Sequence, residues 1–300
     1  MYVITGASGN TGSVIAHALL EQGKQVRVIG RNANRLGEFV ELGAEAVIAD
    51  VADAAKLTSA FTGAEAVYTM IPPNTAAPNT LAYDEQITRS FVSALTKAKV
   101  SHVVNLSSIG AAMPSGTGPV VGLHRQEEAL NSIAGLNILH LRPGYFMENT
   151  MAQAGIIHAM GMAGGPVRGD LKLPMIATRD IGAAAAHALL RLDFKGHQTQ
   201  ELLGQRDISY NDVASIIGTA IGKPDLKYAH LTNEQLRPAL AQLGMSSNFI
   251  DLLLEMTESL NSNRMRALES RSPQNTTPTS YETFVAEEFL PAYQNASKAA

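Results

Sequence analysis

Through the first half of the chain, short apolar runs alternate with stretches of helical periodicity. Runs at Tyr2–Thr5, Gln25–Ile29, Ala46–Ala49, Ala66–Ile71, His102–Leu106 and Asn137–Leu141 have the length and composition of strands. Between them, apolar positions recur with helical spacing over residues 13–22, 33–42, 53–61, 83–98 and 123–134. The clearest case is Tyr83, Ile87, Phe91 and Leu95, four residues apart and therefore on one helix face. Repeated strand–helix units require right-handed crossovers and a parallel, doubly wound sheet.

The rhythm changes after Pro143. Residues 146–160 read as a loop and a helix, Gly161–Gly169 as an irregular glycine-rich stretch, and Arg179–Leu192 as an alanine-rich amphipathic helix. A short strand near Glu201–Leu203, a helix over Tyr210–Ile221 and a strand near Leu226–Ala229 follow. Helices are predicted around 232–242 and 247–260, then a polar loop over 272–279 and a final helix over Tyr281–Phe289. Strand–helix alternation is not predicted to continue here. The pattern therefore predicts an α/β fold: a Rossmann-type doubly wound parallel sheet in residues 1–145. A smaller mixed α/β subdomain in residues 146–300 packs on its carboxyl edge, and the two form one globular unit.

The first predicted strand runs directly into Gly6-Ala7-Ser8-Gly9-Asn10-Thr11-Gly12, and a helical pattern starts at once. Such a junction presents backbone N–H groups at a helix N-terminus, where the helix dipole also favours an anion. Gly6 permits the tight turn, Gly9 lets a pyrophosphate approach the backbone, and Gly12 lets the helix pack closely; Ser8, Asn10 and Thr11 complete the loop. The second strand leads to Arg31, nineteen residues after Gly12 and at a position where a carboxylate would select an unphosphorylated ribose. Arginine instead suits a 2′-phosphate, and Arg35 lies one helical turn on, so NADP(H) is expected in preference to NAD(H). Asp50, followed by Val51, ends the third strand; its carboxylate can accept from an adenine amino group or cap the helix starting near Asp53. Ile71 and Pro72 end the fourth strand on the cofactor side. Ser107 or Ser108 ends the fifth, near the expected nicotinamide. After the sixth, Pro143 and Gly144 can run backbone along that ring, with Tyr145 and Phe146 as a flat apolar wall or as ordinary core.

Composition narrows the function. The 300 residues are 45% hydrophobic, enough for a substantial core, and the net charge of −4 with no basic stripe argues against a nucleic-acid partner. Cysteine is absent, which excludes disulfides and thiolate metal sites. The eight histidines form no H-x-x-x-H pair, so no metal is expected. No apolar run reaches membrane-spanning length, and no basic segment precedes the first strand, so a cytoplasmic protein without membrane contact is expected.

Several of these residues together resemble the NmrA-like group of atypical short-chain dehydrogenases/reductases: the glycine loop, Arg31, Asp50, Leu106-Ser107-Ser108, Leu141-Arg142-Pro143-Gly144-Tyr145-Phe146-Met147-Glu148-Asn149 and Thr178-Arg179-Asp180-Ile181-Gly182. That group includes NADPH:quinone reductases, triphenylmethane reductases and NADP-binding regulators. One departure from the wider superfamily stands out. None of the eight tyrosines is followed by lysine four residues on, and the helix expected to carry that pair reads Leu123-His124-Arg125-Gln126-Glu127-Glu128. Reduction of an ordinary ketone needs a positioned acid, whereas a quinone yields a delocalised hydroquinone anion that water can protonate. His124 and Ser107 are the candidate catalytic residues, although His124 reads more readily as a surface or helix-packing histidine; His140, inside an apolar strand, reads as a satisfied core residue. The resemblance implies an NADP(H)-dependent oxidoreductase acting on a small quinone-like electrophile. The alternative is an NADP(H)-binding redox sensor, and a homodimer stays open in either case.

Overall fold

The computed structural model describes residues 1–299. Its first half alternates β1 (Tyr2–Thr5), α1 (Asn10–Glu21), β2 (Val26–Gly30), a 3-10 turn (Ala33–Leu36), α2 (Gly37–Glu41), β3 (Glu45–Ile48), α3 (Ala54–Phe61), β4 (Ala66–Thr69), α4 (Thr80–Ala98), β5 (His102–Leu106), α5 (Val120–Asn131) and β6 (Asn137–Pro143). The helix expected over 33–42 is thus split. Asn32 caps the 3-10 turn by accepting the Asn34 N–H at 2.9 Å, and the chain tightens before α2 begins.

The second half runs β7 (Tyr145–Phe146), a 3-10 turn (Met147–Ala152), α6 (Gln153–Met160), β8 (Ala163–Gly165), β9 (Leu173–Ile176), α7 (Thr178–Arg191) and β10 (His197–Leu202). It continues with β11 (Asp207–Ile208), α8 (Tyr210–Ala220), β12 (Tyr228–His230), α9 (Asn233–Gln242), α10 (Ser247–Asn261), α11 (Tyr281–Phe284), a π turn (Val285–Phe289) and α12 (Leu290–Ala299). The stretch expected to be irregular, Gly161–Gly169, contains β8, which pairs with β12.

Seven strands form one parallel sheet in the order β10-β6-β5-β4-β1-β2-β3. Alternation therefore does continue past Pro143. α7 packs on α1, and β10 pairs with β6 from His197↔Ile138 to Leu202↔Pro143, so the second stretch contributes a helix and a strand to the sheet layer. The strand expected near Glu201–Leu203 is the end of β10; its first residues, His197-Gln198-Thr199, escape a hydrophobicity reading because they face solvent on an edge strand.

Both faces of the sheet are buried, which explains its near-continuous apolar strands. Ile4, Val104 and Leu141 meet Ile15, Leu19, Ile181 and Leu189 on the α1/α7 side. Val3, Val67 and Val103 meet Leu57, Phe61, Phe91 and Leu130 on the side of α3, α4 and α5. A third core, including Met147, Met175, Tyr210, Val213, Leu260, Tyr281 and Phe289, holds the remaining elements beside the carboxyl ends of β5 and β6. The strand order reverses between β1 and β4, and the crevice outside the strand ends at such a switch point is where doubly wound sheets take ligands.

Candidate functional site

The glycine loop lies at that switch point. Gly6 has φ +61°, a left-handed conformation that a side chain disfavours, and its N-terminal neighbours are all buried in β1. Gly12 sits in the first turn of α1, where a Cβ would lie 2.3 Å from the Gly6 carbonyl oxygen. The third glycine therefore closes the helix onto the turn itself. Gly9 is the N-cap residue of α1 and supplies no side-chain acceptor, so the first-turn amides of the helix have no capping side chain. Thr11 is fixed from below, its hydroxyl 2.9 Å from that of the buried Tyr68.

Arg35 reaches back to the loop and donates from Nη2 to the Ser8 carbonyl oxygen at 2.7 Å. Arg31 is exposed just past β2, and Asp50 is exposed past β3. The Asp50 carboxylate accepts the Ala52 N–H at 2.8 Å, while the cap of α3 is Asp53, which accepts from Ala55 and Lys56. Helix capping near Asp53 is thus done by Asp53 itself. Tyr83, on α4, joins this group. Burial pushes its phenol up, the Asp50 charge pushes it further, and the Arg31 charge pulls it down. Ile71 packs against the same core as Tyr83 and the buried Val51, and Pro72 follows it half-buried. Tyr83 was legible only as one residue of an apolar helix face.

At the other end of the crevice, Ser107 is turned inward. Its hydroxyl donates to Glu127 Oε1 at 2.5 Å, and Glu127 is gripped by Arg142, Nε to Oε1 at 3.0 Å and Nη2 to Oε2 at 2.5 Å. Glu127 is 4% exposed. Burial pushes its carboxyl up, but the Arg142 hydrogen bonds, the Ser107 hydroxyl and the Arg142 charge outweigh it and hold the group below its ordinary value. Glu127 is the central residue that sequence reasoning missed. It stood in view in α5, but its partner on β6 becomes apparent only in three dimensions. His124 Nδ1 donates to the Ala111 carbonyl oxygen at 2.8 Å, and its Nε2 lies 3.4 Å from Glu128. His140 lies between Asn105 Nδ2 at 3.1 Å and Asn131 Oδ1 at 3.0 Å, and burial pushes it down to about 4, so it is a neutral core residue.

Pro143 is buried, and a Cβ on Gly144 would lie 2.2 Å from the Pro174 carbonyl oxygen, so only glycine lets β9 approach. Tyr145 and Phe146 do not form one wall. β7 turns them to opposite sides, Phe146 against the α1/α7 core and Tyr145 into the third core, its hydroxyl 2.9 Å from that of Tyr210. Glu148 serves α7, its Oε1 accepting the Thr178 N–H at 2.8 Å and hydroxyl at 2.5 Å. Among the described residues no cluster of His, Cys, Asp or Glu could hold a metal, and no helix is long and apolar enough to cross a membrane. A surface groove of about 520 Å³ runs along edge strand β3 by Arg27 and Lys56; the loop, Ser107 and Gly144 are not among its lining residues.

The sequence profile of the NmrA-like family matches residues 2–290. An uncharacterized oxidoreductase of Bacillus subtilis (strain 168), YesF, is 27% identical over 265 residues, covering 86% of this chain and 84% of that protein. The fold is similar to that of the Escherichia coli NADPH-dependent quinone oxidoreductase QOR2 in complex with NADPH, with a TM-score of 0.75 and 23% identity over 96% of this chain and 100% of that one. It is also similar to triphenylmethane reductase of Citrobacter sp., with a TM-score of 0.77 and 16% identity over 97% and 99% of the two chains.

Proposed function

The chain belongs to the NmrA-like family, and from that premise we propose that it is an NADP(H)-dependent oxidoreductase that reduces a quinone-like or other conjugated electrophile. The observation that carries this reading is the uncapped N-terminus of α1 behind Gly6, Gly9 and Gly12, with Arg31 and Arg35 beside it. The residues present fit a dinucleotide. The first-turn amides of α1 suit a diphosphate, the Gly12 position leaves the turn tightly closed, and Arg31 suits a 2′-phosphate opposite Asp50 and Tyr83. The names of the similar proteins, an NADPH-dependent quinone oxidoreductase and a reductase solved with NADP(H), support the same cofactor and acceptor class.

A bound reduced nicotinamide supplies a hydride ion, the chemistry being the cofactor's own. The chain's residues orient and exclude. Ser107, committed as a donor to Glu127, has only acceptor lone pairs to offer a neighbour. Glu127 is ionised at neutral pH and holds no proton to give. A conjugated acceptor fits this arrangement, because the hydroquinone anion takes its proton from water. Steady-state consumption of NADPH with benzoquinone and naphthoquinone, beside calorimetry with NADPH, NADP+, NADH and NAD+, tests the reading. Turnover with tighter NADPH binding than NADH binding is expected. Tight, redox-selective cofactor binding with no turnover across quinones and triphenylmethane dyes would overturn it in favour of a sensor.

A further inference from the structure

A second cavity, about 280 Å³, opens beside the carboxyl ends of β5 and β10. Its apolar wall includes Ile109, Leu173, Leu203 and Met265. It adjoins the crevice. The Ile109 N–H donates to the Pro143 carbonyl oxygen at 3.0 Å, and Pro174, also lining the cavity, packs on Gly144.

The charges around this cavity are unequally committed. Arg271 is bonded to Asp207 and to the Gly204 and Leu203 carbonyl oxygens. Glu269 accepts the Glu201 N–H at 3.1 Å and an Asn275 amide N–H at 3.2 Å. Arg266, by contrast, makes a single hydrogen bond among the described residues, from Nη1 to Asn263 O within its own loop. Lys172 forms no ion pair among the described residues, its charge only helping to hold the Asp212 carboxyl down. Both anions at the cavity thus have partners, while two of its three cations keep donors free.

The loop carrying Arg266 is also fixed in place. The buried Glu201 carboxylate accepts the N–H groups of Leu268 and Glu269, each at 2.8 Å, tying the loop to β10. Met265, on the same loop, packs on Gly110 at the end of the β5 connection. An arginine on a stapled loop over an apolar slot is a preorganised anion site.

We propose that this cavity selects the acceptor: a planar conjugated molecule with an anionic substituent, its ring against Ile109, Leu173 and Leu203 and its charge on Arg266 and Lys172. The proposal rests on the oxidoreductase reading and adds the acceptor's charge to it. The test compares a naphthoquinone sulfonate with the unsulfonated naphthoquinone in the full-length protein with NADPH, for wild type, Arg266→Ala, Arg266→Lys and the Lys172→Ala/Arg266→Ala pair. The sulfonate's KM is expected to be about tenfold lower than that of the neutral ring. Arg266→Ala should erase most of that ratio and Arg266→Lys part of it, through a rise in the sulfonate's KM. Added salt should raise the sulfonate's KM alone. An unchanged ratio in Arg266→Ala, or a preference for the neutral ring, overturns the charge assignment while leaving quinone reduction intact. If neither quinone is turned over, the oxidoreductase reading fails, and calorimetry with naphthalene sulfonate still decides the pocket. Binding lost in Arg266→Ala upholds it, and no binding overturns it.

Discussion

Glu127→Ala is the most informative single perturbation of the sheet. It would strand the Arg142 guanidinium, 14% exposed, after removing two hydrogen bonds of 3.0 and 2.5 Å, and would free the Ser107 hydroxyl. Breaking a buried pair by deleting one partner costs about 3–5 kcal/mol. Arg142 still feels the charges of Glu201 and Glu269, which places the loss at the lower end. A loss of about 3 kcal/mol corresponds to a fall in Tm of about 6 °C for a chain of this size. The double variant Glu127→Met/Arg142→Met, which leaves no unpaired charge, should recover most of that fall. Calorimetric melting across pH adds a signature specific to the carboxylate. Its folded pKa lies below its unfolded one, so the unfolded chain binds more protons and the contribution is present above the unfolded value of about 4.3. The stability gap between wild type and Glu127→Ala should therefore stay constant from neutral pH down to about 5 and close as pH falls below about 4. A fall in Tm under about 2 °C, or a double variant less stable than Glu127→Ala, would refute the reasoning.

Asp84 should behave with the opposite sign. It is 8% exposed, against Gly122 of α5, and burial pushes it up to about 7, so the native chain keeps a proton that the unfolded chain loses above about 3.9. Stability from this group falls as pH rises from about 4 to 7, and Asp84→Asn should melt above wild type at pH 8 but not at pH 5; an equal difference at both would refute the assignment. Gly12→Ala places a Cβ 2.3 Å from the Gly6 carbonyl oxygen, and the forced shift should weaken NADPH binding about tenfold to hundredfold, read by calorimetry; unchanged affinity would count against the loop's role. Arg31→Glu replaces a fork that suits a 2′-phosphate with a like charge, and should lower NADPH affinity by about a hundredfold while leaving NADH within about threefold. Parallel losses for both cofactors would refute the ribose assignment.

How much of this was legible in the chain follows from burial. β1, β4, β5 and β6 lie in the interior of the sheet, so their apolar runs stand out, and the Gly6–Gly12 spacing marks the turn into α1 without ambiguity. β9 is only Leu173-Pro174-Met175-Ile176 and carries no strand pattern strong enough to read, while β10 begins with three solvent-facing polar residues, so only its end near Glu201 was legible. Ser107 follows the end of β5 as expected from the sequence, but its partner sits twenty residues on in another element. A carboxylate in the run Gln126-Glu127-Glu128 looks like any solvated helix face until Arg142 is brought beside it. Tyr145 and Phe146 are adjacent in sequence, and alternation along a strand sends neighbours to opposite sides. That rule was available from the sequence but needed β7 to be known as a strand.

The stretch over residues 141–150 is largely consumed by architecture. Arg142 is committed to Glu127, Gly144 to the approach of Pro174, the Tyr145 hydroxyl to Tyr210, one Glu148 oxygen to the N-terminus of α7, and Thr150 to Tyr281. The companion motif on α7 does the same work from the other side. The Asp180 carboxylate accepts from Thr279 N–H and hydroxyl, and Gly182 lets α7 lie directly on Val14 and Thr11 of α1. For these bonded groups, contact with a substrate means giving up an existing partner, which costs about as much as a new hydrogen bond returns. Side chains with donors to spare, Arg31 by the glycine loop and Arg266 and Lys172 by the second cavity, lie outside both motifs. The motifs therefore stitch the sheet to the elements that follow it, while in the proposed reading cofactor choice falls to Arg31, marked by its place after β2, and acceptor choice to Arg266 and Lys172, marked by no spacing. Two chains with the same motifs can then differ in acceptor through a loop such as Asn263–Arg271 without any change in the seam that makes them recognisable.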